Sequence, residues 1–298
     1  MTDQVTVVEV GARDGLQNEK TVIPAAIKIE LIQRLAASGL PVVEASSFVS
    51  PKWVPQLADA AEVMAALDLD SPTRYPVLVP NLQGLERAVE SGAREIAVFA
   101  AASESFSQKN INCSIEVSMQ RLVPVINQAR AQHIAVRGYI SCVLGCPYEG
   151  KIASSAVQRL AENLLDAGCF EVSLGDTIGV GTARQAQDLV RELGNSIPIK
   201  QLAVHFHDTY GQALANILGC LELGVRTVDA SVAGLGGCPY ARGATGNVAT
   251  EDVIYLLSGL GMETGVNLPA LAITGQWISD QLGRENNSRA GRALLKTH

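Results

Sequence analysis

The residues best suited to chemistry in this sequence are His205-Phe206-His207-Asp208. The chain has four histidines, one of them the terminal His298, so two of the other three stand in a single H-x-H. The preceding Leu202-Ala203-Val204 reads as a strand. Residues two apart on a strand face the same side. Both imidazoles therefore point one way near a strand end, as a divalent metal site requires. The alternative is a polar strand end whose histidines are simply hydrogen-bonded.

Other residues could complete such a site. Asp14, in GARDGLQNE, offers a carboxylate, although Asp-Gly also favours an Asx turn. Arg13 beside it is either a fixed cation in the same mouth or a structural ion pair. Asn247 offers a neutral oxygen, or a cap for the helix that follows. Two nitrogens with hard oxygens suit Mg2+ or Mn2+, and Zn2+ or Co2+ also fit. Two histidines with one carboxylate suit non-haem iron as well. Cys238 lies in the glycine-rich GGCPY, where an exposed thiol could act as a general acid, while a buried free cysteine is the usual alternative. The GCPY echo at 145–148 brings no Cys/His spacing for zinc. Lys109 and Lys151 read as junction residues able to meet phosphates, or as ordinary surface lysines.

These residues need a scaffold, and the sequence describes one. Strand-like runs occupy 5–10, 42–47, 75–80, 95–101, 136–143, 170–175, 202–207 and 227–233. They are short, Val/Ile-rich and mostly unalternated, like strands covered on both faces. Helical spacing appears over 25–38, 81–91, 114–132, 154–167, 182–194, 211–223 and near 249–260. Ser154 and Ser155 are candidate caps and Gly39 a stop. Repeated βα units over this length predict an α/β fold, a (β/α)8 TIM barrel, with a short extra C-terminal helix near 268–283. A doubly wound open sheet is the rival. No linker splits the chain, so 1–298 is expected to be a single barrel domain. In such a barrel the site lies at the C-terminal ends of the strands. Arg13, Asp14, Glu44, Asp176, His205 and His207 all fall at or near those ends, and closure brings the first strand beside the last.

Composition narrows the function classes. The 298 residues carry a formal charge of -7 and no basic patch, which argues against nucleic-acid binding. No apolar run approaches the ~18 residues that cross a membrane. The chain enters a strand almost at once, leaving no room for a signal peptide. Six scattered cysteines suit a reducing compartment, so a cytoplasmic enzyme is expected.

The motifs GARDGLQNE (11–19), SSFVSPKWVPQ (46–56), RGYISCVLGCPYEGK (137–151), SLGDTIGVGT (173–182), HDTYGQALAN (207–216) and VAGLGGCPYARGATGNVATED (232–252) run the length of the chain. Through them the sequence resembles the 3-hydroxy-3-methylglutaryl-CoA lyase family. The resemblance implies a barrel, a divalent cation and an acyl-CoA substrate cleaved to acetyl-CoA and acetoacetate, as in leucine degradation. It implies Asp14, His205, His207 and Asn247 as metal ligands, Arg13 as substrate-binding and Cys238 as catalytic. Glu44, Asp176 and His205 match residues tied to activity, and a homodimer is implied by analogy. Phe206 stands where family members commonly carry cysteine, and should point away from the metal. The tail, LLKTH, has no cysteine. The alternatives are a same-fold Claisen-type synthase, a lyase for a related 3-hydroxyacyl-CoA, and a non-catalytic metal-stabilised binding protein.

Overall fold

The computed structural model describes residues 3–17, 19, 21–237 and 246–296. Its strands are β1 (Thr6–Glu9), β2 (Val42–Val43), β3 (Ser46–Ser47), β4 (Val77–Leu78), β5 (Glu95–Ala101), β6 (Ala135–Ser141), β7 (Glu171–Asp176), β8 (Leu202–Phe206) and β9 (Thr227–Ala230). They form one parallel sheet in the order β2-β1-β9-β8-β7-β6-β5-β4-β3. β2 and β3 are two halves of the single strand expected over 42–47. The first half pairs with β1 and the second with β4. Between them, Glu44 N–H donates to Glu9 O at 2.8 Å and Ala45 N–H to Pro76 O at 2.9 Å. That strand joins the two ends of the sheet, so eight staves close into a barrel and the open-sheet rival falls away.

The crossover helices follow the periodicity of the sequence. They are α1 (Ala25–Ala37), α3 (Leu82–Glu90), α5 (Ile115–Ala131), α6 (Ser154–Ala167), α7 (Ala183–Leu193), α8 (Ala213–Leu221) and α9 (Thr250–Gly259), with the extra helix α10 (Leu268–Leu282). Three short helices escaped that pattern: α2 (Ala60–Ala65), α4 (Glu104–Ile111) and α11 (Arg289–Lys296). α1 ends as expected, with Gly39 at φ 93° just past its C-cap. The expected serine caps of α6 do not form. Its N-cap is Ala153, with no side-chain cap bond. Ser154 Oγ instead donates to Glu192 Oε2 on α7 at 2.5 Å, tying the two helices together.

The strands do alternate, in a way that their composition hides. Val136, Ile140, Val172, Leu174, Val204, Phe206, Val228 and Ala230 face the helices and join the main apolar core. Their alternates Arg137, Tyr139, Glu171, Ser173, His205 and Asp229 meet one another by hydrogen bonds in the barrel interior. Barrel interiors are usually filled by branched aliphatic side chains. Here one layer is polar, and it leads up to the H-x-H. Phe206 lies in the aliphatic layer, pointing away from the imidazoles as expected.

Candidate metal and acyl-CoA site

The chain leaves β1 through a π-helical turn, Gly11–Gly15, that carries Arg13 and Asp14. Glycine is required at its start, because a Cβ on Gly11 would sit 2.5 Å from Glu9 Oε1. That oxygen accepts from Gly11 N–H at 2.7 Å and from Val232 N–H at 2.9 Å. Glu9 Oε2 accepts from Thr250 Oγ1 at 2.6 Å. One buried carboxylate thus joins the ends of β1 and β9 and anchors the start of the glycine-rich loop. Burial pushes its pKa up to about 7, against the pull of those three donors. Glu251, which accepts from Ala233 N–H at 2.9 Å, is pushed up to about 8 by burial, and Glu9 adds to that rise.

Across the closure, β8 delivers His205 and the residue after its end, His207. Asp14, His205 and His207 each offer a ligand atom, and these atoms lie within 4.8 Å of one another. The two rings sit 5.5 Å apart between centroids. His205 Nδ1 is 3.3 Å from Asp229 Oδ2, whereas His207 Nδ1 is buried with no hydrogen-bond partner among the described residues. Burial, then the charge of His205, holds His207 down at about 4, so its imidazole is neutral at pH 7 with a lone pair free. Burial raises the Asp14 carboxyl, but Arg13 and both histidines outweigh it and hold it at about 2. A neutral imidazole whose buried nitrogen is unpaired among the described residues, beside an ionised carboxylate, suits a divalent cation. Asn247 is beside them, its Nδ2 donating to Asp14 Oδ2 at 2.8 Å and to Leu235 O at 3.2 Å. Among the described residues this is the group of His, Cys, Asp and Glu side chains able to hold a metal.

Arg13 is fixed from two sides. Its Nε donates to Glu44 Oε2 at 2.8 Å and its Nη1 to Asp14 Oδ1 at 2.7 Å. Burial disfavours its charge, but the two carboxylates more than restore it. Glu44 is fully buried, and its other oxygen has no partner among the described residues. Burial raises its pKa in spite of Arg13. Asp176 is placed differently. Its carboxylate accepts from Val180 N–H at 3.3 Å and Gly181 N–H at 2.8 Å, which folds the loop after β7. Neighbouring Gly175 and Thr177 line the central cavity, and Asp176 does not. Cys238 lies outside the described residues; Gly237, just before it, lines the cavity. Neither lysine lines the cavity. Lys109 Nζ sits 3.8 Å above the Tyr148 ring, and Lys151 is exposed. Cys142 and Cys146 are buried and form no disulfide with another described cysteine.

The sequence reading missed the residues beneath the histidines. Arg137 donates to Asp229 Oδ1 at 2.8 Å and to Glu171 Oε2 at 2.7 Å. Ser173 Oγ donates to Asp229 Oδ2 at 2.7 Å. Burial raises the Asp229 carboxyl, but Arg137 and the hydrogen bond and charge of His205 outweigh it and hold it at about 2. The available signal was a charged residue inside each of two apolar strands, at 137 and 229, in step with Tyr139 and His205. Above this layer opens a cavity of about 190 Å3. Arg13, Asp14, His205 and His207 line it with polar groups, and Leu78, Phe99 and Phe106 with apolar ones.

This arrangement has counterparts among known proteins. Residues 4–278 match the family model described as HMGL-like. The mitochondrial hydroxymethylglutaryl-CoA lyase of Gallus gallus is 57% identical, with 98% of each chain covered. A Pseudomonas aeruginosa protein named 3-hydroxy-3-isohexenylglutaryl-CoA/hydroxy-methylglutaryl-CoA lyase is 58% identical over 98% of this chain and 97% of its own. The crystal structure of hydroxymethylglutaryl-CoA lyase from Pseudomonas aeruginosa superposes with a TM-score of 0.97 at 57% identity, covering 100% of this chain and 99% of that one. The barrel, the metal-competent trio and these full-length matches agree, and the chain belongs to the HMGL-like family.

Proposed function

We propose that this protein is a divalent-metal-dependent carbon–carbon lyase that cleaves 3-hydroxy-3-methylglutaryl-CoA to acetyl-CoA and acetoacetate. The observation that carries the reading is the Asp14/His205/His207 cluster beside Arg13 in a half-apolar cavity, in a chain 57% identical over nearly its full length to a protein named for that activity. Asp14, His205, His207 and Asn247 would hold the cation, with Mg2+ or Mn2+ favoured by their hard oxygens and Zn2+ or Co2+ as competitors. A cation held there supplies Lewis-acid stabilisation of negative charge on oxygen.

The chain's own groups supply the rest. The C3 hydroxyl loses its proton as the C2–C3 bond breaks, and C3 becomes the acetoacetate ketone. Asp14 and His205 are the groups at hand to receive that proton. The electron pair of the broken bond passes to C2, giving the enolate of acetyl-CoA. Arg13, fixed by Glu44 and Asp14, is set to stabilise the enolate oxygen. Cys238 would return a proton to C2 from its glycine-flanked loop. Glu44 acts by holding Arg13, and Asp176 by shaping the loop after β7.

A second reading keeps the chemistry and changes the substrate. The apolar side chains of Leu78, Phe99 and Phe106 suit an apolar C3 substituent, and the Pseudomonas relative is named for a longer-chain substrate too. The reading also includes one catalytic domain over 1–298, a homodimer and a cytoplasmic compartment. The five described cysteines, which form no disulfide with one another, support a reducing environment. No helix among the described residues is long and apolar enough to cross a membrane.

The test supplies purified protein and Mg2+ with 3-hydroxy-3-methylglutaryl-CoA, with its 3-isohexenyl analogue, and with acetyl-CoA plus a 2-oxo acid. Acetoacetate and acetyl-CoA from the first substrate are expected. A higher kcat/KM on the analogue would favour the second reading. Thioester consumption only in the third mixture would favour a synthase, and no turnover in any would favour a binding protein.

A further inference from the structure

The two histidines of the H-x-H are not equivalent, and the difference lies below them. Asp229 is 1% exposed and projects from β9 into the barrel interior. Its Oδ1 accepts from Arg137 Nη2 at 2.8 Å. Its Oδ2 accepts from Ser173 Oγ at 2.7 Å and Arg137 Nη1 at 3.2 Å, and faces His205 Nδ1 at 3.3 Å. A guanidinium and a donating hydroxyl keep the carboxylate ionised, and their three hydrogen bonds leave it able to accept one more from His205. An ionised carboxylate has no proton to offer. The proton between Asp229 and His205 therefore belongs to Nδ1. His207 has no such partner among the described residues, where its buried Nδ1 is unpaired.

We propose that Asp229 is a positioning residue for the reaction, holding His205 as the Nδ1-protonated tautomer so that its lone pair stands at Nε2. This rests on the functional reading above, in which His205 either holds the cation or receives a proton. Both roles need a lone pair at Nε2, and the opposite tautomer could fill neither. The arrangement follows the general logic by which a carboxylate behind an imidazole selects its tautomer and plane. Arg137 extends the support outward. It is held by Glu171 at 2.7 Å, so Asp229 is itself fixed from two neighbouring strands, β6 and β7.

Asp229→Asn separates charge from shape. Arg137 must keep an acceptor, so the amide oxygen turns to it and the amide nitrogen faces His205. Nδ1 must then accept, and the ring proton moves to Nε2. With four histidines in the chain, nitrogen-15 NMR of histidine-labelled, metal-free protein can read each tautomer, using His205→Gln to assign the resonance. We expect Nδ1–H at His205 in the unmutated protein and Nε2–H in Asp229→Asn. Isothermal titration of metal-free protein with Mn2+ should show roughly 10- to 100-fold weaker binding in the variant, the usual effect of losing an outer partner of a ligand. At saturating Mn2+ its kcat should fall while KM stays within a few-fold. Ser173→Ala, which removes a donor but keeps the carboxylate, should retain Nδ1–H and near-normal Mn2+ affinity. If Asp229→Asn does not fold, the tautomer of His205 in the unmutated protein still decides. An Nε2–H tautomer in the unmutated protein, or an unchanged tautomer in Asp229→Asn, overturns the proposal. If the unmutated protein shows Nδ1–H but binds no Mn2+, the ligand reading fails instead, on a separate measurement.

Discussion

Replacing Glu9 by glutamine should change how stability depends on pH. The folded Glu9 titrates at about 7, against 4.5 for an ordinary glutamate. Between those values the folded state binds more protons than the unfolded chain, so stability must fall as pH rises through that window. At pH 8 nearly the whole gap is felt, roughly 3 kcal/mol at 1.36 kcal/mol per unit, and at pH 5 less than about 1 kcal/mol. Glutamine fits the same bonds. Its amide oxygen can take the N–H groups of Gly11 and Val232, and its nitrogen can donate to Thr250 Oγ1. It carries no charge, so its own contribution is flat with pH. It also relieves Glu251, whose pKa Glu9 helps to raise. Urea unfolding of metal-free protein at pH 5 and pH 8 measures the difference. Glu9→Gln should be close to the parent at pH 5 and more stable by roughly 2–3 kcal/mol at pH 8. Parallel pH profiles would refute the reasoning and mean that Glu9 is not held protonated by burial.

Three further substitutions probe the site itself. His207→Ala should weaken Mn2+ binding by at least roughly 100-fold in a titration, more than the loss of an outer-shell partner; unchanged affinity would remove His207 from the ligand set. Arg13→Met should lower kcat by about 100- to 1,000-fold with KM little changed at saturating metal, the scale for losing an oxyanion donor. It should also lower stability, because Glu44 is left buried without its cation, and a denaturation curve would show this. Cys238→Ala should lower kcat by about 100-fold or more while leaving Mn2+ affinity intact, in line with loss of a general acid; near-normal turnover would end its assignment as proton donor.

The fold was legible because its units are repetitive. Short Val/Ile runs and helical spacing placed all eight staves and their main crossover helices within a few residues. What stayed hidden had weak local signals. α2 follows a stretch broken by Pro51 and Pro55. α4 is eight residues of mostly polar sequence, formed because Ser103 caps it at Phe106 N–H and Phe106 is buried. The H-x-H was visible because two imidazoles on one strand face are rare, and Asp14 because an acid followed the first strand. Asp229 and Arg137 were not, since a lone charge in an apolar strand gives no sign of its partner. Their pairing spans 92 residues and exists only once the barrel brings β6 and β9 to face each other. Glu9 was equally silent, because a carboxylate at a strand end looks like any polar terminus until its three donors are in place.

The central claim is that a divalent cation at Asp14, His205 and His207 is needed to break the C2–C3 bond of 3-hydroxy-3-methylglutaryl-CoA. The direct measurement strips metal from the purified protein, supplies that thioester, and follows acetoacetate while Mn2+ is added back in steps. No acetoacetate without metal is predicted, then a rise that saturates near one cation per chain and is absent in His207→Ala. Full turnover in the stripped protein, or none at saturating Mn2+, would contradict the account.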